Sequence, residues 1–448
     1  MNGIVRTCGF IFCLAAAGLL AADDWPQWRG VERDGVWRET GIVKELPKKL
    51  SFLWRAPVGM GYAGPAVAAG RVYLMDRVLG DGEKNPANPF SKRQVGGSER
   101  ILCLDAANGK LLWKHSYPAK YTVSYPYGPR TTPAVSGGKV YCLGAMGDLF
   151  CMDAGTGKML WSKQCAQEFK AEINTWGFSA APLVDGKKLI MLVGGKPGAC
   201  VVAFDKDTGK ELWRALEDDD PGYAPPVIFN AGGKRQLIIW TPTKLASLDP
   251  ESGREYWRQA FKVQSGLSIP TPIYDPGTRK LLVTSFYNGS LMMGLDPKKP
   301  GANLLWKGAS DSELPRNTDG LHSIMCTPVF KGGHIYGVGS YGELRCLDAS
   351  SGKRIWATTE ATGADRWWNA FIIRHEDRYF IPNEQGDLII ANLSPGGYKE
   401  LSRARLIEPT RPVRRRKVVW SHPAFALKCI FARNDKELVC ASLAAAGK

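Results

Sequence analysis

A ten-residue phrase returns along this chain at a nearly constant interval, and it decides what the chain can fold into. The first clear copy runs from Asp105 through Gly109 to Trp113, the second from Asp153 through Gly157 to Trp161. Asp205, Gly209 and Trp213 mark a third; Asp249, Gly253 and Trp257 a fourth; Asp348, Gly352 and Trp356 a sixth. The fifth, Asp296 to Trp306, is stretched by two residues. Successive tryptophans lie 48, 52, 44, 49 and 50 residues apart. A fixed period of about 20–50 residues marks a repeat architecture, in which no unit buries a core by itself.

One unit, residues 132–161, shows how each folds. The runs Ala134-Val135, Val140 to Leu143, Leu149 to Met152 and Lys158 to Trp161 are short and rich in strand formers. Gly137-Gly138, Met146-Gly147-Asp148 and Gly155-Thr156-Gly157 separate them. That pattern predicts a four-stranded antiparallel meander with tight turns, and such units at this period read as propeller blades. In the phrase itself, Asp bonds local backbone, Gly takes the positive φ of the turn, and Trp is a large apolar wedge between blades.

Six copies end in a tryptophan. A seventh is degenerate, with strands around Phe371, Tyr379 and Leu388 and Asn392 in the Asp slot. An eighth starts at Pro423 and stops short of its Trp-bearing strand; Phe52-Leu53-Trp54-Arg55 supplies it from the other end. The expected fold is all-β, an eight-bladed propeller over residues 51–448 closed by the N-terminal strand, with seven blades as the alternative count. Closure removes free sheet edges.

Residues 1–22 carry Arg6, an apolar stretch and Ala21-Ala22, the pattern of a cleaved secretory signal. Residues 23–50 then form an N-terminal extension. The chain is expected to be exported, periplasmic or envelope-associated, and a monomer. A net charge of +16, or +15 once Arg6 is lost, suits contact with anionic membrane, cell-wall polymer or an acidic partner. The compartment argues against nucleic acid. The densest basic segment, Arg411 to Lys417, reads as a solvated loop or a functional patch. Nine cysteines remain after cleavage. Cys103, Cys151, Cys346 and Cys440 share one repeat position where other copies have small residues, which reads as packing. Cys142 with Cys151, and Cys429 with Cys440, are expected opposite each other across hairpins, with free thiols favoured over bridges. No metal-ligand spacing is present.

The long segments, including 76–99 as a lid, gather on the face that holds the blade-to-blade crossings, and function in such scaffolds sits on loops. Each crossing enters its innermost strand at a repeated point: Pro65, Pro133, Pro182, Pro226, Pro272, Pro328 and Pro423, with Asn369 in the seventh. Residues just before these points should ring a central funnel: Tyr62, Arg130, Trp176, Phe178, Tyr223, Ser268, Trp367, Trp368 and Trp420 among them. Of these, Tyr62, Arg130, Trp176, Tyr223, Trp368 and Trp420 are the candidates for holding a ligand or cofactor. Asp319, His322 and His422 are the candidates for catalysis, since a histidine beside a carboxylate can act as general base. The acidic run Glu217 to Asp220 reads as a solvated turn.

The Asp-x-x-x-Gly-Lys-x-x-Trp phrase resembles the pyrroloquinoline-quinone (PQQ) repeat of quinoprotein alcohol dehydrogenases, over roughly residues 51–448. Trp25-Pro26-Gln27-Trp28-Arg29-Gly30 and Trp420 to Phe425 resemble exported PQQ-like propellers of planctomycete-type bacteria, some of them labelled polyvinyl-alcohol dehydrogenases or relatives of BamB, the lipoprotein of outer-membrane β-barrel assembly. The resemblance implies an eight-bladed fold and three functions: a binding or scaffold protein working through the funnel face, for a ligand or an envelope protein partner; a PQQ- and calcium-dependent alcohol or polyol dehydrogenase; or a BamB-like assembly factor. The chain departs from the dehydrogenases in having no adjacent cysteine pair and no haem-attachment motif, and from BamB in showing no lipidated cysteine.

Overall fold

The computed structural model describes residues 24–446, so the expected signal segment lies outside the described residues. Eight four-stranded antiparallel sheets form the ring. In blade 1 the strands are, from innermost to outermost, Ala66–Ala68, Arg71–Leu79, Gly97–Asp105 and Leu111–Pro118. Blades 2 to 7 repeat this over 134–164, 183–215, 227–260, 273–307, 329–358 and 373–405. Blade 8 takes Ala424–Ala426, Cys429–Arg433 and Glu437–Ser442 from the C-terminal end and Ser51–Pro57 as its outer strand. The count is therefore eight, and the N-terminal strand closes the ring.

The repeated phrase is the joint between neighbouring blades. In blade 2, Asp153 Oδ1 accepts a hydrogen bond from the Thr156 N–H at 2.7 Å. Gly157 sits at φ +72°, and a Cβ there would stand 2.6 Å from the ring of Trp113 in blade 1. The Trp113 indole N–H donates to Ala154 O at 3.1 Å. The ring needs a residue that both tolerates left-handed backbone and leaves no side chain, which only glycine does. Trp161 covers Gly209, Trp213 covers Gly253 and Trp306 covers Gly352 in the same way. Trp54 makes the closing joint, lying on Gly109 and donating to Ala106 O at 2.8 Å. The stretched fifth copy breaks the pattern: Trp257 donates instead to Gln236 Oε1 of its own blade, at 2.8 Å.

A β-bulge just before each tryptophan turns the ring into the joint. The strand register skips Leu53, Leu112, Leu160, Leu212, Leu305 and Ile355. These bulge residues face solvent, 43–54 % exposed, because an extra residue re-aims its neighbour. The core is correspondingly a chain of inter-blade clusters. Tyr73, Met75 and Cys103 of blade 1, for example, pack on Val140, Phe150 and Met152 of blade 2.

The N-terminal extension does what no repeat could foretell: it plugs the central channel from the trim face. Trp25 N–H donates to Val67 O of blade 1, and Val135 N–H of blade 2 to Pro26 O, each at 2.8 Å. Arg33 donates to Pro182 O and Ala181 O, where blade 3 begins, at 2.8 and 3.0 Å. The Trp28 indole reaches Thr271 Oγ1, where blade 5 begins, at 2.8 Å. Trp37 N–H bonds Arg374 O in blade 7 and Val43 N–H bonds Leu443 O beside blade 8.

Three sequence expectations are corrected. Innermost strands begin one residue after the repeated prolines, but the seventh begins at Ile373, so its slot is Ile372 and not Asn369. Cys151 pairs with Tyr141, and Cys440 with Phe431, so neither cysteine pair stands directly opposite across its hairpin; register depends on the turn, and here it places them one and two residues off. All nine cysteines of the described residues are free and buried. The Arg411 to Lys417 segment is a hairpin of Arg411–Val413 and Arg416–Val418. Its Val413 and Val418 pack among Tyr125, Tyr62, Trp367 and Trp420, so it backs the aromatic wall of the funnel.

Candidate functional site

On the loop-rich face, the crossings enclose a cavity of about 460 Å³ over the channel axis. Its floor is Trp28 of the extension, Phe371 and His422; the His422 ring lies 4.8 Å from Trp28 and 4.7 Å from Phe371, centre to centre. Tyr62, Arg130, Trp176, Tyr223, Trp367 and Trp420 form the wall, each brought in by a crossing. Trp176 and Tyr223 meet edge-on at 5.5 Å. Phe286 and Tyr287 add a second contribution from a turn between strands in blade 5. The 76–99 segment lengthens the middle hairpin of blade 1, pairing Arg77 with Glu99 and Leu79 with Gly97, and its tip lays Phe90 against Tyr125 at the mouth, 5.0 Å between rings.

Five of the six ligand-holding candidates therefore line the cavity. Trp368 does not; it packs over Gly363 and Gly342, with the Arg416 guanidinium 5.1 Å from its ring. Phe178 and Ser268 also lie outside the lining, Phe178 over Gly147 and Ser268 against Gly222. The proposed catalytic trio is scattered. The Asp319 carboxylate is exposed and 3.7 Å from Arg354. His322 is buried, its Nδ1 3.1 Å from Phe286 O, and burial pushes its pKa down to about 4. Only His422 reaches the cavity. The Asp319–His322 spacing in a loop set no geometry, and the fold separates them.

The polar groups of the site are few. His422 Nδ1 lies 2.8 Å from Pro423 O, which can only accept, so Nδ1 carries the proton and donates. Burial first, then the nearby Arg29 charge, hold its pKa down to about 3, so the imidazole is neutral. Arg366 bridges to Glu313 at 2.9 Å and to the Tyr287 hydroxyl at 3.1 Å. Trp420 donates to the buried Glu384 at 2.7 Å; burial raises that carboxyl and Arg416, bonded to its other oxygen, opposes the shift. The acidic run sits apart: Asp218 pairs with Lys244 at 2.8 Å and Asp219 with Lys196 at 3.0 Å.

Calcium-assisted quinone chemistry needs oxygen ligands converging on one point. The lining holds no carboxylate and no side-chain amide, and no cluster of three His, Cys, Asp or Glu able to hold a metal exists among the described residues. The donor set does not fit a calcium-bound PQQ.

Sequence reasoning missed Trp28, Phe90, Phe286, Tyr287 and Phe371. An aromatic pair in the Phe286-Tyr287-Asn288-Gly289 turn on the loop-rich face was a readable signal. Nothing in the sequence places Trp28 there.

A family profile described as outer membrane protein assembly factor BamB matches residues 97–358. No curated protein matches the sequence. Among solved structures, BamB from Moraxella catarrhalis is similar with a TM-score of 0.55 at 13% identity, over 88% of this chain and 98% of that one. A quinohemoprotein alcohol dehydrogenase from Pseudomonas putida HK5 gives 0.61 at 13% identity, over 95% and 81%. A europium-containing methanol dehydrogenase gives 0.50 at 13% identity, over 93% and 89%. At such identities the likeness is one of fold.

Proposed function

The chain belongs to the PQQ-repeat propeller family described as outer membrane protein assembly factor BamB, and from that premise we propose that it is a non-catalytic binding protein that holds a flat, largely apolar ligand in the funnel. One observation carries this reading: a cavity closed below by Trp28 and walled by aromatic rings, with no carboxylate in its lining. Concave, mostly apolar sites with a few fixed polar groups are how proteins hold small molecules. The expected export of the chain would place this protein in the envelope, and the exposed Arg414, Arg415 and Lys417 at the hairpin beside the mouth would draw anionic ligands there.

The test is a titration of purified protein with planar aromatic compounds, PQQ with and without calcium among them, read by tryptophan fluorescence. Trp28, Trp176, Trp367 and Trp420 all line the cavity, so an occupant should quench them. Saturable quenching that ignores calcium supports the binding reading. Calcium-dependent PQQ binding with dye reduction on adding alcohols would replace it with a quinoenzyme. Silence toward every compound at tens of micromolar would remove the small-molecule reading and leave a protein partner, as the name of the family suggests, to be sought by cross-linking in envelope extracts.

A further inference from the structure

One charged group lining the cup is left without a counter-charge by the fold, and it describes a ligand. It is Arg130. A guanidinium has five N–H donors. Arg130 directs one to Gly128 O at 3.1 Å and two to Ser124 O and Tyr125 O at 2.8 Å each. No carboxylate pairs with it among the described residues; its neighbours are rings, with Tyr62 4.9 Å away. Arg366, the other arginine of the lining, has Glu313, and Arg411 and Arg416 packed near it have Asp435 and Glu384. Burying a cation without an anion is unfavourable, and desolvation lowers the pKa of Arg130 accordingly. An arginine nevertheless stays charged, so the wall of the cup carries one uncompensated positive charge.

His422 forms the floor beside it, 4 % exposed and held between Trp28 and Phe371, with its Nδ1–H on Pro423 O. Its Nε2 and the Tyr62 hydroxyl have no partner but are sealed within the packed rings, away from the open cup, so Arg130 alone offers the cup a free charged donor.

We propose that the cup takes a small planar aromatic monocarboxylic acid: the ring system stacks on the cup's tryptophans and the carboxylate meets the two remaining N–H groups of Arg130. One unpaired cation matches one carboxylate; a tricarboxylate such as PQQ brings more anions than the cup has unpaired cations. This rests on the reading of the cup as a small-molecule site.

The experiment uses two probes on the full protein, followed by calorimetry and tryptophan quenching: 2-naphthoate and its neutral amide 2-naphthamide. The acid should bind at least about 10-fold more tightly than the amide, the range of a charge-assisted hydrogen bond. Arg130→Met should level acid and amide, and Arg130→Lys should restore part of the gap. Equal affinity of acid and amide for the wild-type protein overturns the proposal while leaving the cup as a binding site. If no probe binds, the cup reading fails with it. The wild-type comparison decides the matter even where an Arg130 variant does not fold.

Discussion

Adding one methyl group at Gly157 tests the physical account of the repeat, because a control of equal backbone strain sits in the same blade. Gly157 and Gly138 have nearly the same φ, +72° and +73°. A Cβ on Gly138 meets nothing within 4 Å; on Gly157 it would lie 2.6 Å from the Trp113 ring. Gly138→Ala should therefore cost only the left-handed strain, about 1 kcal/mol. Gly157→Ala adds displacement of a packed ring, about 1–3 kcal/mol, and a weakened indole bond to Ala154 O, about 1 kcal/mol. The expected difference between the two variants is roughly 2–4 kcal/mol, or some 2–4 °C in Tm for a chain this long. Urea unfolding followed by tryptophan fluorescence measures it. In a Trp113→Ala background the ring is gone, and Gly157→Ala should fall to the strain cost alone. If both glycines cost the same in the wild-type protein, or if the tryptophan deletion leaves the Gly157 penalty unchanged, the inter-blade joint is not what holds the glycine in the phrase.

Further outcomes follow from buried groups. His322 and His422 are held down to about 4 and about 3, below the ordinary unfolded value near 6.5. The unfolded chain then binds more protons below pH 6.5, so stability should fall as pH drops from about 6.5 to about 4, by on the order of 5 kcal/mol for the two together; a flat stability profile over that window would contradict their neutral burial, and His422→Phe should flatten part of the slope. Arg33→Met removes the bonds to Ala181 O and Pro182 O that tie the plug to blade 3, and hydrogen exchange should rise across residues 24–50 while the inner strands stay protected; unchanged exchange there would show that the plug is held elsewhere. Replacing Arg414 and Arg415 by Ser should slow association of an anionic probe at low salt and leave its dissociation rate alone, checked by stopped-flow quenching at two ionic strengths.

How much of this was legible before the fold was known differs by residue. Asp105, Gly109 and Trp113 announce their roles because turn chemistry and strand alternation are local, and copying them at a 50-residue spacing leaves a ring as the way to bury the tryptophans. Trp54 completes the same arithmetic. The wall residues Tyr62, Arg130, Trp176, Tyr223 and Trp420 were reachable, since a crossing that ends at a strand start must pass the axis. Trp368 was not separable from Trp367: outside regular structure no periodicity says which of two neighbours faces inward, and Trp367 holds an unusual positive φ of 68°. The pairing of His322 with Asp319 failed for the same reason.

The sequence by itself determined the architecture: the repeat, the number of blades once Trp54 is matched to the last, and the face that carries the long loops. Those depend on interactions within a few residues or between identical neighbours. The plug, the floor of the cup and the unpaired charge of Arg130 were decided only by the tertiary structure. They bring residues 24–50 against strands 150 and even 400 positions away, and pick out Arg130 by the counter-charge that it lacks. Such contacts exist only after the ring has closed, and no local pattern encodes which side chains will meet across its axis.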